Sequence, residues 1–488
     1  MNEHVKVEGD TLAFAQVIGG VRETHGANGT HDVVCPSDGK PFATIPRSGA
    51  RDVDRAVKAA RHAFEDEWGR VPAVERGRLL MRLSQAVTER TEELAALEAR
   101  DTGKPLRQGK ADITALARYL EFYAGGADKV HGDTIPIAGD FLALTLREPH
   151  GVVAGIIPWN YPAQILGRVA GAGLAMGNAL VVKPAEDACL TVIRVAELAL
   201  EVGFPAGSFN VVTGLGSEAG AALSAHPDVD FVTFTGSPGT GTAIAQAAAV
   251  NNRGTVMELG GKSAQVVFAD ADIDSALPVI VNAIIQNGGQ TCSAGSRVLI
   301  ERPAYDAVVE RLADTFSNLE AGPHDGDHDL GALINARQHE RVSAMCARAE
   351  KDGATVLAEG RIADGAPNGF YHAPRLFGGV DPASEMGREE VFGPVLAAFT
   401  FDTEDEAVAV ANGTDYGLVA GLWTGDAKRS ARVARRLRAG QVYVNGYGAG
   451  GGIELPFGGF GKSGHGREKG FEGLIHMSAT KTIVFNHG

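Results

Sequence analysis

Cysteine is scarce in this sequence. Its 488 residues include four cysteines, Cys35, Cys189, Cys292 and Cys346, and none of them stands in a C-x-x-C pair. Four isolated thiols exclude a disulfide framework and argue against a zinc site. We therefore expect no metal site and mostly inert thiols, of which one can still be catalytic.

Long apolar runs and clusters of basic residues are also missing. The most apolar stretch, 151–182, is broken by prolines, asparagines and an arginine, so no segment reaches the ~20 apolar residues of a membrane span. The formal net charge is −15, and a polyanion repels nucleic acid and anionic lipid. The first residues lack the pattern of a signal peptide. We expect a cytoplasmic protein without nucleic-acid or membrane partners.

Glycine is abundant, and apolar strands alternate with helices. The 64 glycines exceed the usual ~7% and are typical of chains with many tight turns. The length predicts two or more domains. The alternation predicts an α/β fold with parallel sheets, which bind ligands at the carboxyl ends of their strands. The predicted strands are 152–157, 179–183, 208–212, 229–235, 264–268, 297–300, 395–399 and 441–445.

The first 150 residues are mainly helical and end in a hairpin. Helical periodicity predicts a helix to Phe64 capped by Ser48 or Asp52, one long helical stretch over 74–100 and a helix over 112–125. Residues 134–137 and 141–146 flank a turn and predict a β-hairpin, which is marginal alone and needs a partner element or subunit. Near the other end of the chain, 479–485 predicts a further strand.

Cys292 is the first candidate for chemistry. It lies in a segment, 287–297, of glycines and small polar residues. A lone cysteine is most often a small buried hydrophobe, but this setting suits an accessible nucleophile better than a core position.

Glu258 is the second candidate. It ends an apolar run immediately before Leu259-Gly260-Gly261-Lys262-Ser263, so its carboxylate can project into a cleft or, in the commoner case, into solvent. The Gly-Lys-Ser sequence suggests a phosphate-binding P-loop, but that motif needs a glycine at Val256. We therefore exclude a P-loop.

Three further strand ends hold polar groups. Asn160, between Pro158 and Pro162, can donate to an oxyanion from a rigid turn or simply bond its own backbone. A glycine-rich turn at 234–241 precedes a helix, and helix N-termini bind phosphate. Lys183 and Glu186 follow another strand and can hydrogen-bond ribose hydroxyls, although isolated charges there are usually surface residues.

Together these segments resemble the aldehyde dehydrogenase superfamily over nearly the whole chain. The Pro-Trp-Asn-Tyr-Pro, Lys-x-x-Glu, Phe-Thr-Gly-Ser, Glu-Leu-Gly-Gly-Lys and Gly-Gln-x-Cys segments occur in the family's order and spacing. Residues 389–395 and 456–459 complete the set. Chance agreement with the family at all of these motifs is negligible.

The resemblance implies three domains and an oligomer. A Rossmann-variant NAD-binding domain would comprise residues 1–129 and 149–258, and an α/β catalytic domain 259–473. Residues 130–148 and 474–488 would form a small β oligomerisation domain, in a homodimer or homotetramer. This assignment would give the predicted hairpin its partner.

The resemblance also implies a mechanism. Cys292 would attack an aldehyde, Asn160 and the Cys292 backbone N–H would hold the oxyanion, and Glu258 would activate water to hydrolyse the thioester. Lys183 and Glu186 would bind the adenosine ribose of NAD, Ser237 the pyrophosphate, and Glu390 and Phe392 the nicotinamide half. Further implied NAD contacts are Ile157, Pro158, Trp159, Gly214, Phe234, Gly236 and Leu259. Implied substrate contacts are Tyr161, Arg168, Thr291, Ser293 and Phe457.

The substrate and two alternatives stay open. Some relatives that oxidise succinic semialdehyde have arginine where this chain has Arg168, which would grip a substrate carboxylate; a structural salt bridge is an equal alternative. Gln286 departs from those relatives, and the glycine-rich 448–452 suggests a roomier site. A CoA-acylating enzyme and a non-catalytic structural protein remain alternatives, although CoA-acylating relatives tend to lack the glutamate that matches Glu258.

Overall fold

The computed structural model describes residues 6–8, 11–448 and 452–488, and in these ranges it contains 24 β-strands and 15 α-helices, numbered here in chain order. The strands are β1 Lys6–Glu8, β2 Thr11–Ala13, β3 Gln16–Ile18, β4 Val21–Glu23, β5 Thr30–Cys35, β6 Lys40–Pro46, β7 Thr134–Ile135, β8 Phe141–Pro149, β9 Val152–Ile157, β10 Ala179–Pro184, β11 Phe209–Val211, β12 Phe231–Thr235, β13 Gly254–Glu258, β14 Ala264–Val267, β15 Arg297–Glu301, β16 Glu320–Ala321, β17 Thr355–Glu359, β18 Arg361–Ile362, β19 Arg375–Gly378, β20 Val395–Phe401, β21 Val419–Trp423, β22 Gln441–Val444, β23 Gly464–His465 and β24 Ser478–Asn486. The helices are α1 Ala50–Asp66, α2 Ala73–Glu89, α3 Thr91–Thr102, α4 Leu106–Gly126, α5 Pro162–Ala175, α6 Leu190–Glu201, α7 Ala221–Ser224, α8 Pro238–Val250, α9 Ile273–Ile285, α10 Arg302–Asn318, α11 Ala336–Lys351, α12 Glu385–Arg388, α13 Glu404–Ala411, α14 Ala427–Ala434 and α15 Gly470–His476.

The first large sheet has eight strands in the order β23-β13-β12-β9-β10-β11-β3-β4. Its five central strands, β13 to β11, are parallel, as the alternation of strands and helices predicts. Every residue of β9 and β10 is buried, because crossover helices cover both faces of a parallel sheet. This sheet brings the strand ends at Ile157, Pro184, Thr235 and Glu258 to one edge.

The second large sheet has seven strands in the order β17-β19-β20-β15-β14-β21-β22. All neighbouring pairs from β19 to β22 are parallel. Adjacent residues of β14 contribute to two different apolar clusters, Val266 to one and Val267 to the other. Successive side chains of a strand point to opposite faces, so both faces of this sheet are buried as well. The mixed α/β fold expected from the sequence is confirmed.

The predicted hairpin and the predicted last strand form one sheet of their own. β7 pairs with β8 and β8 pairs with β24, both antiparallel. Large apolar side chains of this sheet are exposed, among them Leu142, Val484 and Phe485. No helix in the described part of the chain combines the length and the hydropathy that crossing a bilayer requires.

The helical predictions for the first 130 residues were partly wrong. The stretch 74–100 is two helices, because Arg90 leaves helical geometry and Thr91 starts α3. The start of α4 is Leu106, directly after Pro105, rather than Asp112. Gly49, neither Ser48 nor Asp52, caps α1; Asp52 lies inside the helix and accepts a hydrogen bond from the Gly49 N–H at 3.0 Å. Helical periodicity locates a helix but fixes its ends poorly, because the turn at Arg90 and the capping at Gly49 are set by the backbone rather than by the apolar pattern.

Candidate active site

One cleft of about 570 Å³ opens at the carboxyl edge of the first sheet. Asn160, Glu258 and Cys292, which come from three distant parts of the chain, all line it. The cleft is also lined by most of the residues that the sequence assigned to the cofactor: Ile157, Pro158, Trp159, Lys183, Glu186, Phe234, Gly236, Ser237, Leu259, Glu390 and Phe392.

Cys292 follows α9 and a short irregular turn. Gly289 adopts φ +73°, and a Cβ there would lie 2.1 Å from the Gly393 carbonyl oxygen. A Cβ on Gly261 would lie 2.4 Å from the Cys292 carbonyl oxygen. Glycine at both positions therefore lets three backbone segments approach closely around the cysteine. Cys292 is the one half-buried cysteine; the other three are buried.

Burial raises the pKa of the Cys292 thiol to about 12, and the positive charge of Arg168 is the largest influence that lowers it. A buried thiol without a nearby cation stays protonated at neutral pH and is a poor nucleophile. The chemistry of Cys292 therefore depends on the charges that surround the cleft.

Glu258 is the last residue of β13 and is almost completely buried. Neither of its carboxylate oxygens has a hydrogen-bond partner within the described residues. Burial and the negative charge of Glu468 raise its pKa well above the usual range, and Arg168 opposes this most strongly. A buried carboxyl group with unused acceptors that faces a cleft is typical of a functional acid or base.

Asn160 is held by both ends of its side-chain amide. Its Nδ2 donates to the Gln290 carbonyl at 2.9 Å, and its Oδ1 accepts from the Tyr161 N–H at 3.1 Å. An amide nitrogen has two hydrogens, so one remains to be donated to a group in the cleft. The fixed amide and the half-buried thiol thus face the same space.

The polar groups at the end of β10 and just after it form an ion pair. Lys183 donates to Glu186 at 2.7 Å, and Glu186 also accepts from the Gly216 N–H at 3.2 Å. Burial acts to raise the pKa of Glu186, but Lys183 outweighs it and the pKa is lowered. Glu186 is therefore a charged acceptor at the cleft.

The turn after β12 leads into the N-terminus of α8. Ser237 caps this helix, accepting from the Thr240 N–H at 3.4 Å. A Cβ on Gly236 would lie 2.4 Å from the Phe234 ring, so only glycine keeps this path of the chain. The exposed first turn of a 13-residue helix presents N–H groups and the positive end of the helix dipole, which favour an anion.

Glu390 and Phe392 form the opposite wall of the cleft. Glu390 accepts from the Gly261 N–H at 2.9 Å, and burial raises its pKa to about 7. Phe392 adopts φ +57° and its ring packs edge-on against Trp159 at 5.4 Å between centroids. An aromatic residue is rare at positive φ, so the surrounding packing holds this ring against the cleft.

The five residues assigned to the substrate do not line this cleft but lie behind Cys292. Tyr161 and Thr291 share a hydrogen bond of 3.0 Å, and the Ser293 carbonyl accepts from Tyr447 at 2.7 Å. Cys292 packs against the apolar cluster that Phe457 forms with Leu418 and Val419, and the Arg168 guanidinium lies 5.0 Å from the centre of the Phe457 ring.

Arg168 is half-buried and ion-paired. One of its Nη atoms lies 3.8 Å from Glu468, and its Nε has no hydrogen-bond partner among the described residues. Of the two alternatives considered for Arg168, the salt bridge is present in the structure, and the grip on a substrate carboxylate stays a prediction. The predicted open loop at 448–452 falls mainly on 449–451, outside the described residues.

Some residues that line the cleft were not predicted from the sequence. One residue that was assigned to the cofactor, Gly214, does not line the cleft. Arg337, Gln338 and Arg341 of α11 line the cleft, but the pattern of α11 is that of an ordinary amphipathic helix and gave no signal. Glu468 is a buried charge near Glu258 in a segment that reads as polar. Gly214 is not among the cleft-lining residues; a Cβ there would meet the Ser48 backbone at 2.7 Å.

Comparisons with known proteins point to a single family. The model of the aldehyde dehydrogenase family matches residues 23–483. A hydroxyisobutyraldehyde dehydrogenase from Mycolicibacterium austroafricanum is 41% identical over 94% of this chain and 90% of its own length. A crystal structure of a candidate aldehyde dehydrogenase from Burkholderia cenocepacia superposes with a TM-score of 0.96 and 61% identity, covering 97% of this chain and 100% of that one. The structure of betaine aldehyde dehydrogenase from Staphylococcus aureus in complex with NAD+ superposes with a TM-score of 0.94 and is 36% identical in sequence. That match covers 97% of this chain and 95% of the other chain.

Proposed function

The chain belongs to the aldehyde dehydrogenase family, and we propose that it oxidises an aldehyde to a carboxylic acid with NAD through a thioester on Cys292. One observation supports this most strongly. Asn160, Glu258 and Cys292, a donor, a base and a nucleophile, line a single cleft although 98 or more residues separate Asn160 from the others.

The first step uses the cysteine and the asparagine. The Cys292 thiolate adds to the aldehyde carbon, forming a C–S bond and an alkoxide. The free hydrogen of Asn160 Nδ2 and the Cys292 backbone N–H would stabilise that oxyanion. Removing one such donor costs ~10²–10³ in rate. Bound NAD would supply the hydride acceptor that turns the adduct into a thioester.

The second step uses Glu258. Its unpaired carboxylate would take a proton from water, which attacks the thioester carbon. The C–S bond breaks, Cys292 is restored and the carboxylic acid leaves. Burial raises the pKa of Glu258, which makes it a stronger base once it has lost its own proton.

The cleft residues fit NAD on structural grounds. The open N-terminus of α8 at Ser237 suits a pyrophosphate, and the charged Glu186 with Lys183 suits the hydroxyls of the adenosine ribose. Glu390 and Phe392 lie at the other end, beside Gly260, for the nicotinamide half. Solved relatives in this family include a complex with NAD+, which supports the same cofactor here.

Hydrolysis is preferred over acyl transfer to CoA. CoA-acylating relatives tend to lack the glutamate, whereas Glu258 is present and its oxygens have no hydrogen-bond partner in the part of the chain that the structure describes. A non-catalytic structural role is disfavoured because nucleophile, base and oxyanion donor are all intact.

The substrate we propose is a bulky or carboxylate-bearing aldehyde. The Arg168 guanidinium lies over the Phe457 ring near the nucleophile, and its positive charge would attract an anionic group although Glu468 already shares that charge. The relatives differ in their named substrates, hydroxyisobutyraldehyde for one and betaine aldehyde for another, so family membership alone does not choose among them.

We further propose a homodimer or homotetramer assembled through the sheet of β7, β8 and β24. Its exposed Leu142, Val484 and Phe485 are apolar surface that a partner copy would cover. We also propose the domain limits inferred from the sequence, with this sheet as the oligomerisation domain. We propose a cytoplasmic location as well, where the cysteines would stay reduced. Sedimentation of the wild type and of Val484→Glu tests the interface, with a smaller species expected for the variant.

The activity is tested by following NADH absorbance with acetaldehyde, propanal, benzaldehyde and succinic semialdehyde, with and without CoA. We expect NADH and free carboxylic acid without CoA. A requirement for CoA, with an acyl-CoA product, would replace hydrolysis by acyl transfer. No NADH with any of the four aldehydes would favour the structural alternative.

A further inference from the structure

The main-chain carbonyl of Asn160 accepts two buried hydrogen bonds. Lys104 Nζ donates to it at 3.0 Å and Asn287 Nδ2 at 2.8 Å. The two donors stand 56 and 127 residues away in the sequence, one on each side of the turn that holds Asn160. Turn carbonyls are usually satisfied by local backbone or water, so this convergence of two distant side chains sets the Asn160 peptide apart.

Lys104 is a fully buried charge with fixed partners. It follows Gly103, which ends α3 in a left-handed conformation, and its ammonium pairs with Asp112 and with Glu98 at 3.7 Å. The Tyr161 ring centre lies 4.5 Å from Nζ. Asp112 is held in turn by Gln164 of α5 at 2.7 Å. Burying an ammonium ion is costly unless its geometry is well satisfied, and here one of its three oxygen partners is the Asn160 carbonyl.

Asn287 links the main chain of Asn160 to the carbonyl that accepts from the Asn160 side chain. Besides the Asn160 carbonyl, its Nδ2 donates to the Gln290 carbonyl at 3.2 Å, the same oxygen that receives Asn160 Nδ2 at 2.9 Å. Asn287 adopts φ +51°, and its backbone N–H donates to the side-chain oxygen of Gln108 at 2.8 Å. The main chain of Asn160, its side chain and the segment before Cys292 are thus tied together.

We infer that Lys104 and Asn287 are positioning residues that set the direction of the oxyanion donor. Fixing the Asn160 carbonyl fixes its peptide plane, and the bond to Gln290 then orients the remaining Nδ2 hydrogen toward the aldehyde oxygen, which becomes the oxyanion when Cys292 attacks. Electrostatic stabilisation of an oxyanion requires donors held within about 0.5 Å of their working position. The inference rests on the proposed function, since it needs Asn160 to be the oxyanion donor.

A double-mutant cycle tests this. The first-turnover rate of NADH formation is measured for wild type, Lys104→Met, Asn160→Ala and the double variant, with saturating NAD and the most active of the four aldehydes. We expect Asn160→Ala to lose ~10²-fold or more and Lys104→Met at least ~10-fold. In the Asn160→Ala background, Lys104→Met should change the rate by less than ~2-fold, because the group that it positions is gone.

Other results contradict the inference. If Lys104→Met slows both backgrounds by the same factor, Lys104 supports the fold and not the donor. If Lys104→Met leaves the first-turnover rate of the otherwise wild-type enzyme unchanged, the hydrogen bond from Lys104 to the Asn160 carbonyl has no role in the reaction. If Asn160→Ala itself leaves the rate unchanged, the oxyanion assignment of the proposed function fails, and the positioning role fails with it.

Two controls separate positioning from folding. Asn287→Gly, which keeps the left-handed backbone accessible, gives an independent cycle with Asn160→Ala and decides the question if Lys104→Met does not fold. Arg194→Met removes another buried cation, which pairs with Glu93, Glu197 and Glu201, and should lower thermal stability without altering the first-turnover rate. The dissociation constant of NAD should stay within ~2-fold of wild type in every variant.

Discussion

The ammonium of Lys183 lies 2.7 Å from the carboxylate of Glu186 at the edge of the first sheet. The pair keeps the carboxylate of Glu186 ionised, with its pKa lowered by Lys183, where the resemblance puts the adenosine ribose. A carboxylate accepts hydrogen bonds from ribose hydroxyls and repels a 2′-phosphate.

Cofactor choice follows from this pair. We predict a kcat/KM for NAD at least ~10-fold above that for NADP, because ~1.4 kcal/mol of charge repulsion already gives that factor. Glu186→Ser should reduce the ratio mainly by improving NADP. Equal kcat/KM values for the two cofactors in the wild type would contradict the assignment of Glu186.

The nucleophile is tested by Cys292→Ala. Oxidation should fall by ~10⁴-fold or more, as when a covalent nucleophile is removed from other enzymes, while the NAD dissociation constant stays near wild type. Cys35→Ala is the matched control, because that thiol is buried and does not line the cleft, and it should retain activity. Substantial turnover by Cys292→Ala would exclude the thioester route.

Arg168 is tested through substrate preference. If its guanidinium grips a carboxylate, Arg168→Ala should lower the ratio of succinic semialdehyde to propanal activity by ~10-fold or more, because a charge-assisted bidentate contact is lost. Glu468→Gln should raise the ratio by releasing Arg168 from its partner. An unchanged ratio in Arg168→Ala would exclude binding of a substrate carboxylate by Arg168.

The pKa of Glu258 also predicts a pH dependence of stability. Its folded pKa is raised above the unfolded value of about 4.3, so the folded state binds the proton more tightly. That contribution is fully present below about pH 4.3 and is lost as pH rises through the folded pKa. Glu258→Gln cannot ionise, so its melting temperature should exceed that of the wild type by a margin that grows from pH 5 to pH 8.

Glu186→Gln is the control of opposite sign. The folded pKa of Glu186 is lowered, so its contribution is present above the unfolded value and lost as pH falls through the folded pKa. This variant should melt below the wild type at pH 8, with a gap that closes toward acid. The same pH trend in both variants would show that neither carboxylate behaves as its surroundings indicate.

The sequence predicts those parts of the fold and of the cleft that follow from short local patterns of residues. The ends of β9, β10, β12 and β13 were readable, because parallel strands place their carboxyl ends at one edge, and the cleft-lining Asn160, Lys183, Ser237 and Glu258 follow directly. The Cys292 segment was recognised from its glycines and its resemblance to a family, and the structure brings it to the same cleft.

Residues whose roles depend on tertiary convergence could not be read in this way. Lys104 stands in a turn that reads as helix punctuation, yet it reaches the Asn160 carbonyl. Glu468 and Lys469 read as a surface pair, yet both are buried beside Phe457, where burial lowers the pKa of Lys469 to about 7. The break at Arg90 was missed for a related reason, since continuous apolar periodicity concealed a second helix start at Thr91.

The most direct test of the whole account is the time course of NADH formation by Glu258→Gln. Hydride leaves before hydrolysis, so the variant should release a burst of about one NADH per active site and then turn over ~10²–10⁴-fold more slowly than wild type. Mass spectrometry should find the acyl group on Cys292 during the slow phase. A normal steady-state rate without a burst would contradict the role of Glu258 and the thioester that it is proposed to hydrolyse.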